Sequence, residues 1–92
     1  MEHLSIKDIH DRLEQLNEWE LTGDELVKEF SFDIFKEAMN FAHQVGEEAE
    51  RQKHYPVIII RGTLVTITLS TPAANGVTHD DFKLARAIEQ RV

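Results

Sequence analysis

The run Glu50-Arg51-Gln52-Lys53-His54-Tyr55-Pro56 sets a carboxylate, an imidazole and a phenol directly ahead of a proline. Ser70-Thr71, His79 and Asp81 follow with hydroxyls, a second imidazole and a second carboxylate. Such side chains suit proton transfer. An imidazole gives or takes a proton near neutrality because its ordinary pKa is about 6.5, whereas a phenol of pKa about 10 donates a hydrogen bond or a proton and is a poor base. The residue before a proline is pushed out of the helical region. His54 and Tyr55 therefore stand where a helix ends and point at whatever lies over that end.

Each of these residues also has a plainer role open to it. A histidine near a helix C-terminus interacts favourably with the helix dipole, and a tyrosine can simply pack beside Pro56. Glu50 lies four residues before His54, where it either orients the imidazole or forms an exposed pair on the helix surface. His79, near the start of the last helix, either reaches back into the pocket or stays in solvent. Asp81 follows Thr78 by three residues, the spacing of a helix cap, and the structural role is favoured for it. His43 and Glu47 are four apart, but a metal site needs three or more converging ligands. None is evident, and no metal is expected. His3 and His10 read as surface residues, and Gly23, Gly46, Gly62 and Gly76 are too scattered for a phosphate-binding loop.

The elements that position these groups follow from periodicity. Ser5 caps a helix from about Ile6 to Leu16 carrying Ile9, Leu13 and Leu16 at helical spacing. Trp19-Glu20-Leu21 and Leu26 to Phe30 flank Thr22-Gly23-Asp24-Glu25 and form a hairpin. Asp33 caps a longer second helix whose broad apolar face comprises Ile34, Phe35, Ala38, Met39, Phe41, Ala42, Val45 and Ala49. Gly46 inside it marks either close packing or a tolerated defect. Val57 to Ile60, a turn at Arg61-Gly62-Thr63, and an alternating strand from Leu64 to Thr71 make the second hairpin, with Val65, Ile67 and Leu69 on one face. A breaker loop, Pro72 to Gly76, leads to the last helix with Phe82, Leu84, Ala85 and Ile88. The order is α-β-β-α-β-β-α, an α+β fold in which helices cover one face of a single-layer, four-stranded antiparallel sheet.

The chain of 92 residues suits one domain, residues 1–92, with one core. It contains no cysteine, so disulfides and cysteine-bound zinc are excluded and a reducing compartment is acceptable. There is no apolar leader or membrane-spanning run, which makes a cytoplasmic protein without membrane contact the expectation. A formal charge of −7, with no basic stretch along the sequence to offset it, disfavours direct nucleic-acid binding.

Glu50, His54, Pro56 and Leu69-Ser70-Thr71, with Trp19-Glu20-Leu21, Phe30-Ser31-Phe32 and Phe35 upstream and Asp81 downstream, resemble the pattern of the pterin-4a-carbinolamine dehydratases without a gap. Tyr55 and Pro72 stand where that family has its second and third histidines. The resemblance implies loss of water from a 4a-hydroxytetrahydropterin, with no metal or organic cofactor. It also implies a pterin substrate and a homodimer or homotetramer. On that basis His54, Tyr55 and His79 are the catalytic candidates, and Glu50, His54, Ser70 and Thr71 the substrate-binding ones. A non-catalytic pterin-binding or protein-interaction module of the same fold is the alternative.

Overall fold

A computed structural model describes residues 2–92. Helix α1 (Ile6–Leu13) is followed by strands β1 (Glu20–Thr22) and β2 (Glu25–Ser31), helix α2 (Phe35–Gln52), strands β3 (Val57–Arg61) and β4 (Leu64–Leu69), a short 3-10 turn (Pro72–Ala74) and helix α3 (His79–Glu89). The strands lie in the order β1-β2-β4-β3, all antiparallel. The expected α+β order is the observed one. Two-residue turns close both hairpins, Gly23-Asp24 between Thr22 and Glu25 and Gly62-Thr63 between Arg61 and Leu64. Gly23 and Gly62 supply the positive φ, +61° and +60°, that such turns demand.

Alternation sorts the sheet into two faces. Leu26 and Phe30 of β2 and Val65, Ile67 and Leu69 of β4 are buried beneath the helices, which contribute Ala38, Phe41, Val45 and Ala49 from α2 and Phe82, Leu84, Ala85 and Ile88 from α3. Phe30 and Phe41 stack with ring centroids 4.6 Å apart, and Trp19 meets Phe30 edge-on at 6.1 Å. The opposite face carries Thr66, Thr68 and Ser70, together with exposed Val57 and Ile59 on the edge strand β3. A buried charge sits at one end of the core. Lys28 Nζ donates to Glu89 Oε2 at 2.7 Å and to the Asn17 carbonyl at 2.8 Å, and Trp19 Nε1 donates to the same Glu89 oxygen at 3.0 Å. The ammonium is paired with a carboxylate and hydrogen-bonded to a carbonyl, which is the condition under which a buried charge is tolerated.

Four expectations need correction. Helix α1 stops at Leu13 rather than Leu16, because Gln15 and Leu16 donate to Arg12 and Leu13 in three-residue steps that tighten the last turn. Asp33 does not cap α2. Ile34 is the capping residue, with no side-chain bond, and the Glu37 carboxylate instead accepts from the Asp33 amide at 3.3 Å. The apolar face of α2 is narrower than its composition suggests, since Ile34, Phe35 and Met39 are exposed at the N-terminal end, where no element covers them. Strand β4 ends at Leu69, and Thr71 pairs with Gly76 across the folded-back loop because Pro72 cannot donate to a ladder.

Gly46 resolves as a tolerated defect: a Cβ there would meet nothing within 4 Å. Gly46→Ala is therefore expected to raise stability by up to about 1 kcal/mol, read as a higher urea midpoint at unchanged slope. Gly76 behaves oppositely. The N-terminal arm lies across the 72–78 loop, with Leu4 N donating to the Val77 carbonyl at 2.7 Å and His3 Nδ1 to the Ala74 carbonyl at 3.1 Å. A Cβ on Gly76 would come within 2.9 Å of the His3 Cβ. Gly76→Ala should displace this arm and cost roughly 1–3 kcal/mol of stability, measurable in the same titration.

Candidate functional site

Helix α2 ends at Gln52 because Lys53 turns left-handed, with φ 54° and ψ 39°. The His54 amide then donates to the Ala49 carbonyl at 3.1 Å and the Lys53 amide to Glu50 at 3.3 Å, which satisfies the last helical carbonyls. That reversal swings the His54 side chain off the helix surface and towards the first turn of α3.

There the ring Nε2 lies 2.5 Å from Asp81 Oδ1. Asp81 is fully buried and His54 is 14% exposed. The second carboxylate oxygen is equally occupied: Thr71 Oγ1 donates to Oδ2 at 2.8 Å and the Thr78 amide at 2.9 Å. Since the Thr71 proton goes to Asp81, the Thr78 hydroxyl donates to Thr71 Oγ1, 2.8 Å away, and itself accepts from the Asp80 amide. Asp81 thus does two jobs with two oxygens. Oδ2 completes the capping box of α3, and Oδ1 holds the imidazole.

This arrangement selects a tautomer. An acceptor-only carboxylate at Nε2 puts the proton on that nitrogen, leaving Nδ1 as the acceptor of the neutral ring. Among the described residues Nδ1 has no hydrogen-bond partner, and no buried side-chain nitrogen or oxygen there lacks one. Nδ1 is therefore open to solvent. A neutral imidazole held in this way takes a proton at Nδ1, and the imidazolium so formed is neutralised by Asp81.

The remaining candidates are distributed unevenly. Tyr55 adjoins His54 and is 61% exposed, its phenol unburied beside the half-buried Pro56. Thr71 is buried within the Asp81 network, and Ser70 is half-buried on the open side of the sheet. Glu50 does not orient His54. Its carboxylate sits in solvent, 3.8 Å from Lys53 Nζ, because the left-handed Lys53 takes His54 out of the helical register on which the four-residue spacing depends. His79 does not turn inward either. It opens α3 on the exposed side, where Arg12 donates to its Nδ1 at 3.1 Å. Among the described residues no group of three potential ligands could hold a metal ion, and His43 and Glu47 form an exposed contact at 3.8 Å. No helix among them is long and apolar enough to cross a membrane.

The residue that sequence reasoning undervalued is Asp81. The cap spacing accounted for one of its oxygens, and only the tertiary fold reveals the use of the other.

Comparison with known proteins bears on the family and the fold. Among curated relatives provisionally named pterin-4-alpha-carbinolamine dehydratase, the protein of Christiangramia forsetii is 40% identical over all of this chain and 95% of its own length. That of Nocardia farcinica is 40% identical over 97% of this chain and 94% of its own. The crystal structure of a transcriptional coactivator/pterin dehydratase from Brucella melitensis superposes with a TM-score of 0.93 at 28% identity, covering 97% of both chains. A pterin dehydratase-like protein identified as a RuBisCO assembly factor in the α-carboxysome shares the fold, with a TM-score of 0.70 at 20% identity over 83% of this chain and 90% of its own. The sequence profile described as pterin 4 alpha carbinolamine dehydratase matches residues 2–91, so the chain belongs to this family of hydro-lyases.

Proposed function

We propose that the protein dehydrates a 4a-hydroxytetrahydropterin to the quinonoid dihydropterin. In this elimination the bond from carbon 4a to its hydroxyl breaks and the oxygen leaves as water after gaining a proton. A ring N–H loses its proton, and the freed electron pair forms the new carbon–nitrogen double bond. Nothing is oxidised or reduced. His54 Nδ1 is the base for the ring proton, and Asp81 stabilises the resulting imidazolium. The Tyr55 phenol donates a hydrogen bond to the departing hydroxyl, in place of the family's second histidine; the proton that completes the water comes from solvent, to which the imidazolium returns its own. Thr71 acts through Asp81, and half-buried Ser70, the residue before it, is the remaining substrate-binding candidate. Glu50, exposed beside Lys53, and His79, paired with Arg12, are given no direct role in this reading. With one imidazole where the family pattern has three, and general acid–base groups contributing ~100-fold or more apiece, the enzyme is a slow one.

The observation that carries this reading is the His54–Asp81 contact, in which a buried carboxylate fixes one ring nitrogen while the other faces solvent. The test is the decay of freshly generated 4a-hydroxytetrahydropterin, followed by absorbance with protein near stoichiometric level. Acceleration over the spontaneous reaction is the expected result. No acceleration would overturn the assignment.

A second reading, an interaction module, draws support from exposed Ile34, Phe35 and Met39 on α2 and from the coactivator role named for the Brucella protein. The same surface and the unpaired edge of β3 suit a homodimer or homotetramer. Saturable pterin binding without turnover would favour this reading over the first.

A further inference from the structure

The protein carries a formal charge of −7, yet its cations are unevenly placed. Helices α2 and α3 pack antiparallel: His54, just past the end of α2, meets the first turn of α3, while Glu48 of α2 meets Arg91, just past the end of α3. Between them opens a cleft of about 780 Å³ lined by Arg51 from α2, Lys83 and Arg86 from α3, and Arg91 beyond it. Glu48 is the sole carboxylate in that lining, for a charge of +3, and Glu47 stands beside it with Oε1 3.6 Å from Arg91 Nη1.

This cleft has an internal frame. Glu48 is buried, and its Oε2 accepts from Arg91 Nε at 3.0 Å and Nη2 at 2.7 Å, with Arg51 Nη1 3.2 Å from the same oxygen. Arg91 is thereby held at the cleft wall, its Nη1 already 3.6 Å from Glu47, while the more exposed Arg51 keeps N–H donors that Glu48 does not use. Lys83 and Arg86 are exposed and form no ion pair among the described residues, although most of the chain's ionisable surface is acidic. Gln52 and Gln90 add neutral amide donors on facing walls.

We infer that this cleft binds a small ligand bearing two or three linked phosphates. The cleft is open to solvent, so a ligand there is held by charge rather than by enclosure. Planar guanidinium forks match phosphate oxygens two at a time, and cations converging from two helices suit a ligand whose charges are close together. Linked phosphates carry their charges closer together than the carboxylates of an acidic peptide, whose extended backbone advances about 3.3–3.6 Å per residue.

The test is calorimetric titration of the intact protein with inorganic tripolyphosphate at roughly physiological ionic strength, where surface charges beyond about 8 Å are screened. Saturable one-site binding is expected, with a rise in melting temperature that follows occupancy. In a Lys83→Gln/Arg86→Gln variant, whose side chains are exposed and whose fold is checked by circular dichroism, affinity should fall by ~30-fold or more. Three results would each overturn the proposal: no saturable binding at millimolar tripolyphosphate, unchanged affinity in the folded double variant, or equal or tighter binding of hexaglutamate. None of these readouts involves pterin turnover, so failure here leaves the dehydratase reading untouched, and failure of that reading leaves this one.

Discussion

An Asp81→Ala variant is expected to lose about 3 kcal/mol of folding stability, and the dehydration rate of its folded fraction should fall ~100-fold or more. The stability loss has two sources. The Thr78 amide loses the acceptor that closes the capping box of α3, a change typically worth about 1 kcal/mol. The buried Thr71 hydroxyl loses its acceptor as well, and an orphaned buried donor costs roughly 1–3 kcal/mol. The rate loss has a different origin: without Oδ1, nothing holds the proton on Nε2 or neutralises the imidazolium. Asp81→Asn separates the two effects. Its amide oxygen can still accept from the Thr78 amide, so much of the stability should return, while its NH2 then faces His54 and imposes the opposite tautomer. Urea unfolding and single-turnover decay on both variants make the check. Recovery of rate together with stability in Asp81→Asn would reduce Asp81 to a helix cap.

His54→Ala should have the larger effect on chemistry and the smaller one on folding. It removes the only imidazole held by the buried carboxylate, so the observed decay of the 4a-hydroxy substrate should approach the spontaneous rate, a fall of ~100-fold or more in the catalysed component. The variant should still fold. His54 is partly exposed and its backbone bond to Ala49 is retained. The charge of Asp81 then loses one of its three partners but keeps Thr71 and the Thr78 amide, so a stability loss of about 1–2 kcal/mol is expected. Fluorescence titration with a 7,8-dihydropterin should show weakened binding in the same variant. Unchanged binding and unchanged rate would take His54 out of the site.

Much of this architecture was legible because it is written in short-range patterns. The alternation of Val65, Ile67 and Leu69 with Thr66, Thr68 and Ser70 declared a half-covered strand, and the helical repeat from Ala38 to Ala49 declared the helix over it. Thr78 and Asp81 announced a helix start. The proline after Tyr55 located the helix end to within a few residues, and with it the placement of His54. What remained hidden depends on tertiary geometry. Glu50 looked like the partner of His54 because four-residue spacing assumes an unbroken helix, and the left-handed Lys53 breaks it. Asp81 looked fully used by its cap because a sequence does not reveal that a carboxylate caps with one oxygen and has the other free for a histidine 27 residues away. His79 shares a turn with Asp81 but leaves α3 in another direction, towards Arg12. The basic cleft was invisible for the same reason, since Arg51 and the Lys83–Arg86 pair lie far apart in the chain and meet only when α2 and α3 pack.

The site is also joined to the N-terminal arm. The arm at His3 and Leu4 presses on the loop between Thr71 and Thr78, the two residues that hold Asp81 Oδ2. Disturbing Gly76 should therefore reach the imidazole through that loop, and the stability loss expected of Gly76→Ala should be accompanied by slower dehydration.

The most direct measurement is the nitrogen-15 spectrum of the His54 ring, recorded at a pH above the ordinary histidine range and repeated during titration with a 7,8-dihydropterin, with His54→Ala supplying the assignment. The neutral ring should carry its proton on Nε2, and added pterin should shift the Nδ1 resonance in step with binding. A ring protonated on Nδ1, or an Nδ1 signal that saturating pterin leaves unmoved, would contradict the role of His54 as the proton-transfer group.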